Sequence, residues 1–318
     1  VPGMFTINHS GMPGQGALCY IRGITSMNNT NSPYYIVNGM PLETPGLFES
    51  GIDGNIYNPL TSIDPSDISG ITILKGPPAV SLYGLKASNG VILINTLEPK
   101  STQTTIKVSI QGGLNMSPEN YIPQLNDEQY KTLANEILVS SNKKEEEFGL
   151  DYPGLFITSG DDEYYRYMHN TNWQELVFSN ALMSNAYLSV KGGSDIARYG
   201  LSVGYHDQGG IFKNSNYNRI NVRFIADLNI FSWFNMEVNA NLSNNNSSLK
   251  ESAVSPQTNP VTTSLSKPPI LSPYQYDEKG QRLTLIDEVD ELGTSNPLAV
   301  IENFIGENKN YRFLSSIK

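Results

Sequence analysis

The side chains that could do chemistry are few and scattered. His9, His169 and His206 lie on three unrelated segments without ligand spacing, so no metal site is expected from them. Asp161, Asp162 and Glu163 are oxygen donors that could meet a calcium ion, but they lack the alternating ligands and the glycine of an EF-hand loop, and a solvated acidic loop is the simpler reading. Gly14 and Gly16 form a Gly-x-Gly with no phosphate-binding helix behind it. Cys19 is the only cysteine, which rules out a disulfide within the chain and reads as a small buried core residue. Nothing marks a pair of carboxylates for glycoside hydrolysis. No catalytic residue, cofactor or metal is assigned, and the chain is not read as an enzyme.

The polar residues that do follow a pattern sit on strands. From Tyr217 to Ile230, the residues Ile220, Val222, Phe224, Ala226, Leu228 and Ile230 face one way, while Arg219, Asn221, Arg223, Asp227 and Asn229 face the other. After the aromatic turn Phe231, Trp233, Phe234, a second strand sets Met236, Val238, Ala240 and Leu242 against Glu237, Asn239, Asn241 and Ser243. Arg219, Asn221, Arg223, Asp227, Glu237, Asn239 and Asn241 are therefore candidate binding residues. A long loop from Thr44 to Asn58, rich in glycine, adds Phe48, Asp53, Asn55 and Tyr57 as candidates.

These residues belong to a longer rhythm. Past Pro99 a period of two runs through Ile106 to Gly112, Asn185 to Gly193 and Ile196 to His206 before the two strands above, and further strands are expected near Leu298 to Ile305 and Tyr311 to Ile317. The total is about seven strands. The connections alternate between short turns and two long segments, near 115–183 and 244–296. The first long segment predicts a helix from Asp127 to Ser141, capped by Asn126 with Gln129 at N3 and burying Leu133, Ile137 and Leu138. Tyr199, Tyr205, Tyr217, Phe231, Trp233 and Phe234 gather at strand ends, where the two aromatic girdles of a membrane barrel would lie. A soluble sandwich can show the same alternation.

Composition narrows the partners. A net charge of −10 and a pI near 4.8 exclude nucleic acid, which needs a basic patch. Only 16% of residues are charged, and the abundance of tyrosine, asparagine and serine suits neutral polar contacts. No run approaches the roughly 18 apolar residues of a spanning helix. This leaves a barrel open, because alternation averages to ordinary hydropathy.

The stretch Leu60 to Thr96 carries the densest punctuation. Asp64, Pro65 and Asp67 read as an N-cap, an N1 proline and a first-turn acid. Ile68 to Leu74 reads as a strand, Pro77 and Pro78 open a helix over Ala79 to Tyr83, Gly84 ends it, and Gly90 leads into the strand Val91 to Asn95. Upstream, Ala17 to Arg22 and Tyr34 to Met40 read as short strands, after an irregular lead-in from Val1 to Gly16.

This unit resembles the plug of TonB-dependent outer-membrane transporters, and most closely the SusC/RagA branch. The resemblance rests on Ile73-Leu74-Lys75, Tyr83-Gly84 and Ala87-x-Asn89-Gly90-Val91-Ile92-x-Ile94-x-Thr96, with Ile21-Arg22-Gly23 and Pro33 to Pro41, including Asn38-Gly39, upstream. One departure is Gly76-Pro77-Pro78, where the family usually has an acid and alanines. The resemblance implies a small α/β plug domain at residues 1–98, followed over 99–318 by antiparallel strands of a transmembrane β-barrel. With Arg22, Gly23, Asn38, Gly39, Lys75, Tyr83, Gly84, Asn89 and Gly90 as structural motif residues, it implies import across the outer membrane of a Gram-negative bacterium. The cargo it implies is an oligosaccharide or a peptide, the partners a SusD-like surface lipoprotein and the TonB complex, and the wall's surroundings outer-membrane lipid. Plugged barrels use about 22 strands, so the chain is expected to be part of a longer one. On this reading the inward polar residues either bond the plug to the wall or touch cargo. A secreted carbohydrate-binding or adhesive β-protein and a β-rich glycoside hydrolase are the rival readings.

Overall fold

The computed structural model describes residues 2–8, 11–28, 31–42, 59–99, 103–117, 122–140, 153–161, 163–250, 256–287, 290 and 293–318. The loop carrying Phe48, Asp53, Asn55 and Tyr57 lies outside the described residues, as do His9 and Asp162.

The first part is a small mixed domain. Strand β1 (Met4–Asn8) pairs antiparallel with β2 (Ala17–Ile21). A four-stranded sheet has the order β4-β3-β6-β5, formed by β3 (Tyr34–Val37), β4 (Met40–Pro41), β5 (Ile68–Leu74) and β6 (Val91–Thr96). Helix α1 (Pro77–Tyr83) connects β5 to β6 and places both prolines in its first turn, where no N–H partner is needed. Two expectations are corrected here. The lead-in from Val1 to Gly16 contains β1. The run Tyr34 to Met40 is broken, because Asn38 (φ 49°) and Gly39 (φ 82°) form the two-residue turn between β3 and β4. The core of this domain joins Cys19, Ile21, Tyr35, Val37, Leu42, Ile63, Ile92 and Ile94. Burial pushes the Cys19 thiol and the Tyr35 phenol above their ordinary values, since neither anion can be solvated there. The thiolate is the nucleophile, so Cys19 should label with a maleimide at least ~10²-fold slower in the folded protein than in urea. Equal rates would mean that this core is open.

The second part is one antiparallel sheet of six strands, in the order β14-β11-β10-β9-β8-β7. Its members are β7 (Thr105–Asn115), β8 (Ala181–Gly193), β9 (Ala197–Gly209), β10 (Asn216–Phe231), β11 (Phe234–Leu249) and β14 (Gly306–Ile317). A hairpin of β12 (Tyr274–Tyr276) and β13 (Arg282–Ile286) stands apart from the sheet. The expected strand from Leu298 to Ile305 is instead α7 (Pro297–Asn303), because Asn296 caps it by accepting from the Leu298 N–H at 3.0 Å and Pro297 occupies its first turn. Among the described residues the sheet thus has six strands, against about seven expected. Strand β11 also runs on to Leu249, so the second long connection begins at residue 250 and not near 244.

The faces of this sheet are inverted relative to a soluble protein. Successive outward rows across β10, β9 and β8 read Ile220-Tyr205-Ala186, Val222-Val203-Leu188 and Phe224-Leu201-Val190, and β7 continues them with Ile110, Val108 and Ile106. Ile110 is 80% exposed, Phe313 65% and Leu242 51%, whereas the opposite face buries Tyr187, Ser189, Ser202, Arg219, Asn221, Arg223 and Asn239. Apolar rows face out and polar rows face in, as in a wall surrounded by hydrocarbon. From Ile220 to Leu228 the rows occupy about 27 Å of strand, or ~20 Å of height at a 40° tilt, close to the ~25 Å belt of outer-membrane barrels. Phe231, Trp233 and Phe234 gather at the short turn, the Phe231 and Trp233 rings stacked 5.6 Å apart at 7° and the Phe234 ring tilted 44° to Trp233. Tyr217 departs from the girdle expectation: it is 4% exposed on the inward face.

The long connections pack on one another at one end of the sheet. Helix α2 (Asp127–Ser140) has the expected capping box, with Gln129 N–H to Asn126 Oδ1 at 2.8 Å and Asn126 N–H to Gln129 Oε1 at 3.2 Å. It buries none of its residues, and Leu133 and Ile137 are exposed, contrary to expectation. Helices α3 (Pro153–Phe156) and α4 (Tyr164–Tyr167) come next. They lead to α5 (Trp173–Val177), which meets α6 (Pro260–Ser266) and α7. Trp173 is 1% exposed and donates to Pro268 O at 2.9 Å. Lys267 lies over its ring and is held by Asp290 at 3.2 Å, while burial pulls the lysine below its ordinary value.

Candidate functional site: the seat of the plug on the wall

Most polar contacts on the inward face of the sheet come from one short segment of the first domain. Two 3-10 turns, Pro59–Ser62 and Pro65–Asp67, carry its contacts. Asp64 does cap its turn, accepting from the Ser66 N–H at 2.8 Å with Oδ1. Its Oδ2 then accepts from Arg219 Nη2 at 3.2 Å. Asp67, which the sequence placed as a first-turn acid, points its carboxylate at the wall: Tyr187 Oη donates to Oδ1 at 2.8 Å and Ser202 Oγ to Oδ2 at 2.9 Å. Arg223 Nη1 stands 3.9 Å from the same carboxylate and donates to Leu97 O at 3.0 Å. Both carboxylates are nearly inaccessible, at 2% and 3% exposure. Buried charges persist when paired and hydrogen-bonded, and here each carboxylate has a facing guanidinium.

Neutral side chains complete the contact. Asn221 and Asn241 both donate to Ser62 O, at 2.7 and 2.9 Å, and Asn245 donates to Thr61 Oγ1 at 2.9 Å. Apolar packing adds to them: Leu314 of β14 packs against the core that contains Cys19 and Tyr35. Room for Asp64 is made by Gly204 of β9, whose Cβ, were there one, would lie 2.4 Å from Asp64 Oδ2. Gly204→Ala should therefore weaken the seating of this domain by about 1–3 kcal/mol, the usual cost of overpacking. Protease protection of residues 59–67 reads the effect, and unchanged protection would show that the carboxylate has slack.

The structure divides the candidate residues. Asn221 and Asn241 bond the turns above, and Arg223 stands beside Asp67 while bonding Leu97 O. Asn239 is buried beside them without a bond to the first domain among the described residues. Asp227 and Glu237 oppose each other in register at the short-turn end, away from the turns, where Glu237 pairs with Lys318 at 3.8 Å. The residues missed by sequence are Thr61, Ser62, Tyr187, Ser202, Gly204, Asn245 and Leu314, together with the wall-directed role of both aspartates. A signal existed for the aspartates: Arg219 and Arg223 share a buried face at a spacing of four and need acids from elsewhere.

The motif residues close the first domain on itself. Arg22 (φ 65°) and Gly23 (φ 86°) turn the chain after β2, and the Arg22 guanidinium lies over Gly76, whose Cβ would fall 2.8 Å from Nη1. This close approach, with φ 75° at Gly76, accounts for glycine where the family pattern departs. Asn38 exchanges two bonds with Thr96, at 2.7 and 2.9 Å, so the β3–β4 turn is tied to the end of β6. Lys75 donates to Pro2 O, and Asn89 accepts from Thr25 Oγ1 at 2.7 Å. Tyr83 packs against Ile36, Ala79, Ala87 and Val91, and Gly84 (φ 72°) ends α1. Gly90 (φ 91°) has no room for a Cβ beside Ile21 and Leu74 O, each 2.9 Å away.

Comparison with known proteins agrees with this geometry. Residues 1–91 match the TonB-dependent Receptor Plug Domain. The chain is 31% identical over 235 residues to the TonB-dependent receptor SusC of Bacteroides thetaiotaomicron, which covers 74% of this chain and 20% of SusC. It is 25% identical over 232 residues to the TonB-dependent receptor P3 of Formosa agariphila, covering 73% of this chain and 19% of P3. All of the chain superposes on 36% of a chain of the RagAB peptide importer in its open-open state, with a TM-score of 0.70 and 21% identity, a likeness of fold. The chain thus spans about a fifth of the length of these curated relatives. Plug motif, inverted sheet and relatives together make it the plug and an open, six-stranded stretch of wall of a SusC/RagA-like TonB-dependent receptor of the Gram-negative outer membrane.

Proposed function

We propose that the protein carrying this chain imports an oligosaccharide across the outer membrane. In this reading residues 1–98 are the plug, residues 99–318 open the barrel wall, the TonB complex draws on the plug's N-terminal segment, and a SusD-like surface lipoprotein caps the long-loop side. The observation that carries it is the buried Asp64–Arg219 and Asp67–Tyr187–Ser202 contact inside a sheet whose outer face is apolar. A stopper held inside a lipid-embedded wall has transport as its natural use, and the polar seat keeps the path shut until work is done on it.

The sugar reading is supported by low charge and by 18 tyrosines, whose rings can stack on sugar faces while amides bond hydroxyls. Phe48, Asp53, Asn55 and Tyr57 are proposed as cargo contacts on sequence grounds, and Asn221, Arg223, Asp227, Glu237, Asn239 and Asn241 as plug-wall or cargo contacts. A peptide cargo is the second reading, favoured by the fold likeness to a protein named as a peptide importer. Uptake of labelled oligosaccharide and peptide pools by cells with and without the gene tests both. Loss of glycan uptake alone supports the first reading and loss of peptide uptake alone the second. Unchanged uptake of both pools would sink the import reading.

A further inference from the structure

The turn that joins β1 to β2 does not hang free in the lumen. Met12 is 6% exposed, and Gly14 (φ 76°) lies so close under the Tyr217 ring that a Cβ there would be 2.3 Å from it. Beside it, a Cβ on Gly210 would stand 3.0 Å from Pro13 Cδ. Residues 12–15 therefore sit in a notch formed by the end of β9, the start of β10 and the loop between them. Two glycines, one on each side, give the notch its depth.

The same loop is held from the other side by the long connections. Ser179 N–H donates to Ile211 O at 2.8 Å and Lys213 N–H to Val177 O at 3.0 Å. The rings of Phe178 and Phe212 stack at 5.3 Å. Val177, Phe178 and Ile301 form a buried cluster onto which Ile211, Phe212 and Val261 pack, so both long connections meet at this loop. The loop thus touches the clustered long connections with Ile211–Lys213 and the plug's first turn with Gly210, next to Tyr217 of β10.

We propose that this loop, residues 210–215, couples the long-end connections to the N-terminal β1–β2 hairpin of the plug, with the notch over residues 12–15 as the coupling contact. A shift of the clustered connections, such as a cargo or a capping protein would impose, moves the loop and opens or tightens the notch. The hairpin it holds is the part of the plug nearest the N-terminal segment. Coupling of this kind requires an element whose state both ends bias, and the seated turn is that element. The proposal rests on the import reading for its purpose, but its test needs no transport, so failure of uptake and failure of coupling are separate results.

The test uses the complete protein in detergent, as folded barrels shown by heat-modifiable mobility, and reads maleimide labelling of Cys19 of β2 on its own peptide. Gly14→Ala should raise the labelling rate about tenfold, within the 5–150-fold range of coupled sites, and Phe212→Ala should raise it by a similar factor from the far side of the loop. Combined, they should do little more than the larger single change, because both act through one contact. Tyr217→Ala in the Gly14→Ala background should bring the rate most of the way back by freeing the space, although the backbone strain at residue 14 is unchanged. An unaltered rate in Phe212→Ala, or effects of the two changes that multiply, would overturn the proposal. So would a rate in Gly14→Ala that Tyr217→Ala does not lower.

Discussion

Asp67→Ala is expected to loosen the plug from its wall more than any other single change, by about 3–5 kcal/mol, the cost of stranding one member of a buried charge cluster. The substitution leaves Tyr187 Oη and Ser202 Oγ without the acceptor they share, at 2.8 and 2.9 Å, and leaves Arg223 buried with no carboxylate beside it. Each hydroxyl-to-carboxylate bond is charge-assisted, about twice as strong as a neutral one. Asp67→Asn keeps the shape and one acceptor oxygen and should cost roughly half as much, because a neutral bond of ~1 kcal/mol survives. Protease protection and thermal release of the plug in the complete protein, with the barrel still folded, measure both changes. A loss below about 0.5 kcal/mol for Asp67→Ala, the scatter of surface substitutions, would show that the cluster does not hold the plug.

Much of this arrangement was legible in the order of residues, for reasons that are local. Period-two alternation is a property of the strand itself, so the faces of β8 to β11 followed from sequence, with Ile220, Val222 and Phe224 outward and Arg219, Asn221 and Arg223 inward. The capping box of α2 and the proline-opened α1 are likewise decided within a few residues. Errors arose where tertiary packing or a single residue overrode the pattern. Ile301, placed on a strand by its apolar neighbours, lies on a helix because Asn296 and Pro297 start one. Leu133 and Ile137 have helical spacing, but spacing cannot say whether a partner surface is present. Tyr217 stands at a strand end, where a girdle residue is expected, but its parity with Arg219 puts it inside. The wall side of the seat follows from the parity of Arg219, Asn221 and Arg223, but its partners do not, because Asp67 lies 135 residues before Ser202 and its own neighbours mark it only as a first-turn acid.

A charge on the outward face tests the surroundings of the wall directly. Leu201 lies in the third of five outward rows, in register with Phe224 and Val190, and is 44% exposed. In a soluble protein, arginine at so open a position changes stability by about ±0.5 kcal/mol. At the midplane of a bilayer the guanidinium must be dragged out of hydrocarbon, and Leu201→Arg is expected to cost about 2–4 kcal/mol. Ile196 is more exposed still, at 67%, but it lies at the short turn before β9, where the headgroups begin. Ile196→Arg should therefore cost only about 0–1 kcal/mol. Denaturant unfolding of the complete protein in lipid vesicles gives the two numbers, and their ratio depends on depth alone, since both sites exchange an aliphatic side chain for the same cation. Two equal, small losses would place this face in water, against a second sheet or free, and a wall so placed could not contain a plug in a membrane.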